Sequence, residues 1–133
     1  MKTPLMAASE TGSVEATEKV LSRKHTDING LAQGRTALML AASAGHTQVL
    51  ELLISKQADV NVRGQLGKTA MMYAAAAGEV EVIEILFSAG ADVHAQSEEN
   101  KCALDYAKEK DQKAAVALLS QILEIHRTPN TVV

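Results

Sequence analysis

The stretch Gly64 to Thr69 reads GQLGKT, and glycines ahead of a Lys-Thr pair are ingredients of a phosphate-binding loop. Such a loop needs G-x-x-x-x-G-K-[ST], so that backbone amides cradle the phosphates and the lysine reaches the outer ones. The first glycine would stand at position 62, and that residue is Val62. The segment also follows a helical stretch and a polar turn, not a buried apolar strand. Nucleotide binding is therefore not expected. His25, His46, His94 and His126 do not pair at metal-ligand spacing, and the single Cys102 cannot build a zinc site. Cys102 opens a helix, where a thiol is weakly activated, but no histidine shares its stretch, and a small buried side chain is expected. Carboxylates are scattered over helix exteriors with no acid–base pair. The reading is a protein without catalytic residues, metal or cofactor.

Composition points the same way. The chain has 133 residues, enough for one domain. One cysteine excludes an internal disulfide and favours a reducing compartment, so a cytoplasmic or also nuclear location is expected. The first ten residues lack the apolar run of a signal peptide, and no run approaches a membrane span. The net charge of −3 gives no general pull toward nucleic acid or an anionic membrane. Only Phe87, Tyr73 and Tyr106 are aromatic. A core of Ala, Leu, Val, Ile and Met suits closely stacked short helices.

The organising feature is a repeat. Arg35 to Gly67 and Lys68 to Asn100 align without a gap, placing Thr36 on Thr69, Ala41 on Ala74, Gly45 on Gly78, Leu53 on Leu86 and Asp59 on Asp92. The period of 33 extends back to Thr3 and forward to Cys102, giving the openings TPLMAA, TALMLAA, TAMMYAA and CALDYA. Self-similarity at such a period signals a stacked-repeat architecture. These residues resemble the ankyrin repeat, with its T-P-L-H-x-A opening, a glycine-ended helix, a Leu-rich second helix and G-A-D-V-N. Met6, Met39 and Met72 stand where that family usually has His. The resemblance covers about residues 2–125. It implies an all-α solenoid of helix-turn-helix units with short β-hairpin fingers.

The expected domain is 1–126, with repeats at about 2–34, 35–67, 68–100 and 101–126, and 127–133 as a flexible tail. Thr3-Pro4 opens a helix running to about Glu10, closed by Gly12 in a left-handed conformation. Second helices are expected at about Val14 to Arg23, Gln48 to Ser55 and Glu81 to Ser88. Gly12 to Asn29 is one residue longer than Gly45 to Asn61, and Asn29 to Thr36 is one shorter than Asn61 to Thr69. This predicts an extra residue near the start of the second helix or its turn, offset by a shorter first finger. Glu10, Glu15, Thr17, Glu18 and Lys19 supply a solvated face for an N-terminal cap, and Lys108 to Lys113 does so at the C-terminus.

Repetition projects equivalent residues into rows. Lys2, Arg35, Lys68 and Lys101 precede each helix cap. A cation beside a helix N-terminus is electrostatically unfavourable, so helix stability does not explain this basic row. Arg63 adds to it. A second row runs Ala7, Leu40, Tyr73, Tyr106 along the side that the resemblance makes a concave groove. Tyr is a common interface anchor, although packing is an equal reading. Finger residues Gln65, Leu66, Glu98 and Glu99 vary between repeats and offer partner choice. The family implies a non-catalytic protein–protein interaction module, an adaptor or scaffold, here toward a partner with an acidic segment. A regulatory or inhibitory subunit, or a host-directed bacterial effector, would use the same residues. A monomer is expected. The ending Thr131-Val132-Val133 looks like a PDZ-domain ligand. Asn29 and Asn61, in Asp-Ile-Asn and Asp-Val-Asn, resemble ankyrin sites of asparaginyl hydroxylation. His46, at the inter-helix turn, is expected to be hydrogen-bonded and structural.

Overall fold

Each repeat begins with a helix whose start is written in its side chains. A computed structural model describes residues 3–23 and 25–125. The expectations on Lys2, on the tail 127–133 and on Thr131 to Val133 lie outside the described residues. The first helices are α1 (Pro4–Thr11), α3 (Ala37–Ala44), α5 (Ala70–Ala77) and α7 (Ala103–Glu109). The hydroxyls of Thr3, Thr36 and Thr69 accept the amides of Met6, Met39 and Met72 at 3.1, 3.2 and 3.5 Å. In the two interior repeats the bond is returned: the amides of Thr36 and Thr69 each reach a methionine sulfur at 3.4 Å. The thioether is thus the acceptor that closes the cap. In the fourth repeat a carboxylate takes over, with the Cys102 amide donating to Asp105 at 3.0 Å. Cys102 itself is half-buried, not buried as expected, because it lies at the solenoid's last cap.

Gly12, Gly45 and Gly78 end these helices at φ of 79°, 75° and 75°. Two demands meet there. The left-handed conformation favours glycine, and the next repeat's turn residue lies over the same spot: His46 over Gly12, Glu79 over Gly45, Gln112 over Gly78. The fourth repeat has Asp111 at this position, with φ 54°. It keeps the conformation and escapes the crowding, since no fifth repeat follows among the described residues.

The second helices are α2 (Val14–Leu21), α4 (Thr47–Ser55), α6 (Val80–Ser88) and α8 (Lys113–Ile125). α2 begins two residues after its glycine, as α4 and α6 do. The extra residue of the first repeat therefore falls after α2, where Thr26 ties back to the Val20 carbonyl at 2.7 Å. First helices form one row and second helices the other, each stacked on its counterpart in the next repeat. Ala41, Ala42, Ala74, Ala75 and Ala107 have no exposed surface, which lets the front row close up. Val49, Leu50, Leu53, Val82, Ile83 and Leu86 fill the space behind them and are likewise sealed. Thr17, expected on the solvated face of the cap, is fully buried and bonds the Ser13 carbonyl at 2.7 Å. It stands one and two periods before Leu50 and Ile83, both fully buried, and its short polar side chain returns its bond to the backbone at the start of its own helix. Ser9 is also fully buried, with an unpartnered hydroxyl, where Ala42 and Ala75 stand in the interior repeats.

Two sets of side chains stitch the repeats together. Asp27, Asp59 and Asp92 each fold the loop by accepting the amide two residues on, at 3.0, 2.8 and 2.9 Å. Asn29 and Asn61 then accept the next repeat's amides of Asp59 and Asp92, both at 2.8 Å. Asn61 also donates to the Gly90 carbonyl at 3.2 Å. At the other end of the helices, His46 meets the Glu10 carbonyl at 3.0 Å and Gln112 meets the Ala76 carbonyl at 3.1 Å. A carbonyl only accepts, so the His46 ring carries its proton on Nε2. This bears out the structural reading of that histidine.

Glu79 occupies the equivalent rung between repeats two and three. A carboxylate has no hydrogen to donate to the carbonyl there, so its amide-like neighbours succeed where it cannot. Glu79→Gln should raise the unfolding free energy by about 1 kcal/mol, the net worth of one hydrogen bond. Urea denaturation followed by circular dichroism measures it. A lower midpoint would show instead that the carboxylate serves the N-terminus of α6.

The fingers are minimal turns and form no extended ladder. The first is a two-residue turn, Gln33-Gly34, closed by a single bridge between Ala32 and Arg35 at 3.0 and 3.1 Å. The next two are one residue longer, as the spacing requires, each closed by one outer bond: Gly64 amide to Lys68 carbonyl, Ser97 amide to Lys101 carbonyl, both 2.9 Å. The ladder stops there because other donors turn sideways. The Gln65 amide bonds the Gly34 carbonyl at 2.7 Å, and the Glu98 amide bonds the Leu66 carbonyl at 2.9 Å. Each finger is thus held by its neighbour.

Candidate partner-binding face

The segment GQLGKT forms no phosphate cradle. The amides of Gly64, Gln65, Gly67, Lys68 and Thr69 all donate within the protein, and Gln65–Gly67 is a single tight turn. Its lysine belongs instead to the basic row, and the structure explains that row. The Arg35 guanidinium lies 5.2 Å from the centre of the Tyr73 ring, one repeat further on. Lys68 lies 5.7 Å from Tyr73 and 5.2 Å from Tyr106, and Lys101 lies 5.9 Å from Tyr106. Cations and rings alternate along the front of the molecule at cation–π distance. The two rows read separately from sequence are one ladder.

The rings are themselves fixed. Tyr106 is only 6% exposed. Its hydroxyl shares a 2.7 Å bond with Ser97 and donates to Glu99 at 3.2 Å, while the Ser97 hydroxyl accepts the Glu99 amide at 3.2 Å. Burial pushes its phenol above the ordinary range, so it stays neutral at physiological pH. Of the two readings of Tyr106, interface anchor and packing residue, its burial fits packing, with Lys68 and Lys101 over its ring. The reason is that α7 closes against the third finger, and the ring fills that seam. Tyr73 is half-buried.

The ladder is unevenly charged. Lys101 pairs with Glu109, which holds its ammonium above the usual lysine range; Glu99 adds to this. Arg35 and Lys68 meet no carboxylate at ion-pair distance among the described residues. A ring face locates a cation without supplying a countercharge. Arg63, expected to join the partner surface, donates to the Gln96 carbonyl of the next finger and is engaged within the protein. Gln65, Glu98 and Glu99 are exposed on the finger edge. Leu66 sits at the second tip, 46% exposed with φ 58°. A leucine held in the left-handed region and open to water is a local cost of the kind found at working surfaces. Asn29 is half-buried and Asn61 exposed; the side-chain oxygen of Asn29, and both the oxygen and the nitrogen of Asn61, bond the next repeat.

Beneath the first two fingers lies a cleft of about 340 Å³ lined by Met6, Glu10, Gln33, Arg35, Leu40 and Gln65. Met6 and Leu40 are its buried apolar floor, 2% and 6% exposed. Sequence reasoning missed Met6 and Gln33 here. The row Ala7–Leu40–Tyr73–Tyr106 was the available signal, but which neighbours wall the cleft depends on the finger overhang.

The family model for ankyrin repeats (3 copies) matches residues 1–64 and again 58–128. This chain belongs to the ankyrin-repeat family. The described helices pair into four repeats. No curated protein matches the chain significantly. Ankyrin repeats are generally protein–protein interaction modules, typically non-catalytic. Among the described residues no helix is long and apolar enough to cross a membrane.

Proposed function

We propose that this protein is a non-catalytic adaptor that holds an acidic segment of another protein against its finger face. The observation that carries this reading is the pair Arg35 and Lys68. Both are fixed by tyrosine rings, both lack a carboxylate partner, and both flank the exposed Leu66 tip. Fixed cations bind with little ordering cost, because their side chains have already lost their freedom. Backbone bonds between fingers do the same for the loops.

Reversing both charges tests it. Arg35→Glu with Lys68→Glu should weaken the purified native partner by about a hundredfold at low salt, since two attractions become repulsions. The partner is obtained by affinity purification with the unaltered chain and then titrated calorimetrically. The helical circular dichroism should not change, because both side chains lie outside the core. Undiminished affinity in the double variant would remove the finger face as the site.

A further inference from the structure

The ladder also carries information about the shape of what it binds. Successive first helices are stacked at roughly 8–10 Å. The distances of 5.2 and 5.7 Å to the shared Tyr73 ring cap the Arg35–Lys68 separation at about 11 Å. The two uncompensated cations therefore form a ruler with a spacing on the order of 10 Å. Toward Lys101 the charge changes: that lysine is paired with Glu109, and Glu98 and Glu99 are exposed on the third finger, so an anionic segment is favoured over Arg35 and Lys68.

We infer that the segment bound here is an acidic polyproline-II stretch with carboxylates at positions i and i+3 and an apolar side chain directed into the Met6–Leu40 cleft. This rests on the finger face being the partner surface. Polyproline II has three residues per turn and rises about 3.1 Å per residue, so positions i and i+3 share a face about 9 Å apart. That matches the ruler. A β-strand places same-face residues at about 6.6 Å or 13 Å, which misses both cations. A helix matches only at i and i+7, and its body is about 10 Å wide, whereas the cleft under the fingers, about 340 Å³, has side-chain dimensions. The Gln65 and Glu98 amides are also spent on the neighbouring finger, which takes two donors from any strand adding there.

The test uses the full chain and labelled synthetic peptides read by fluorescence anisotropy at low salt. The probes are proline-rich peptides with two Glu at i,i+3, at i,i+2 or at i,i+4, a helical peptide with Glu at i,i+7, and a Gln version of the first. The i,i+3 peptide should bind about tenfold more tightly than every other probe. Tyr73→Leu should weaken it about fivefold, while Tyr73→Phe, which keeps the ring face, should not. Equal binding of all acidic spacings, preference for the helical probe, or no advantage of Glu over Gln would each overturn the inference. The outcomes are separable from the reading it rests on. If Arg35→Glu with Lys68→Glu still abolishes partner binding while spacing is ignored, the face stands and the ruler falls.

Discussion

Leu53→Ala should lower the unfolding free energy by about 3 kcal/mol, the usual loss for a fully buried leucine that leaves a cavity. Leu53 has no exposed surface and stands on α4, which packs on α2 before it and α6 after it. A solenoid has no distant contacts to spread such a loss, because each repeat touches only its neighbours. Truncation therefore weakens two interfaces at once. Urea unfolding should then broaden, with a smaller denaturant dependence, as the first repeats detach before the last. Leu86 is the counterpart one period later and is equally sealed. Leu86→Ala should match it within about 1 kcal/mol if cavity size alone sets the loss. A loss below about 1 kcal/mol at both sites would mean that the stack closes over the gap.

Asn61→Ala should cost about 2 kcal/mol, because two bonds to the third repeat disappear and the Asp92 amide is left without its acceptor. Asn61→Asp separates the two bonds. A carboxylate can still accept from Asp92, but it cannot donate to the Gly90 carbonyl and places negative charge against that oxygen. The aspartate variant should therefore fall between the parent and the alanine variant in its urea midpoint. If alanine at this position is neutral, the asparagine is not a stitch and its polar group is free for other use. The same logic makes Asn29, with its single bond to Asp59, the weaker of the two sites.

Much of this architecture is legible in the chain because the signals are local. A threonine cap with Pro or Ala after it, a glycine at the helix end and a Leu-Leu second helix are each decided within one turn of backbone. Repetition every 33 residues shows that such units follow one another in register. The shorter first finger was readable by counting between Asn29 and Thr36. How far each finger's ladder extends was not legible, because it depends on whether amides find a partner in the same finger or the next one, and that choice depends on stacking. Thr17 was misplaced because its neighbours in sequence are charged, while its position one period before Leu50 lies on the buried face.

By itself, the amino-acid sequence determined that this protein is a row of ankyrin-type helical pairs, which residues cap them, and that a basic row and a partly aromatic row must exist. Those follow from periodicity and short-range hydrogen bonding. Only the tertiary structure decided that the two rows interleave, that Tyr106 is packed, that Lys101 pairs with Glu109, and that Arg35 and Lys68 meet no carboxylate among the described residues. The physical reason is that a cation on one repeat is held by a ring on the next. That contact joins residues more than a full period apart, and its distance is set by how closely the alanine-faced helices stack.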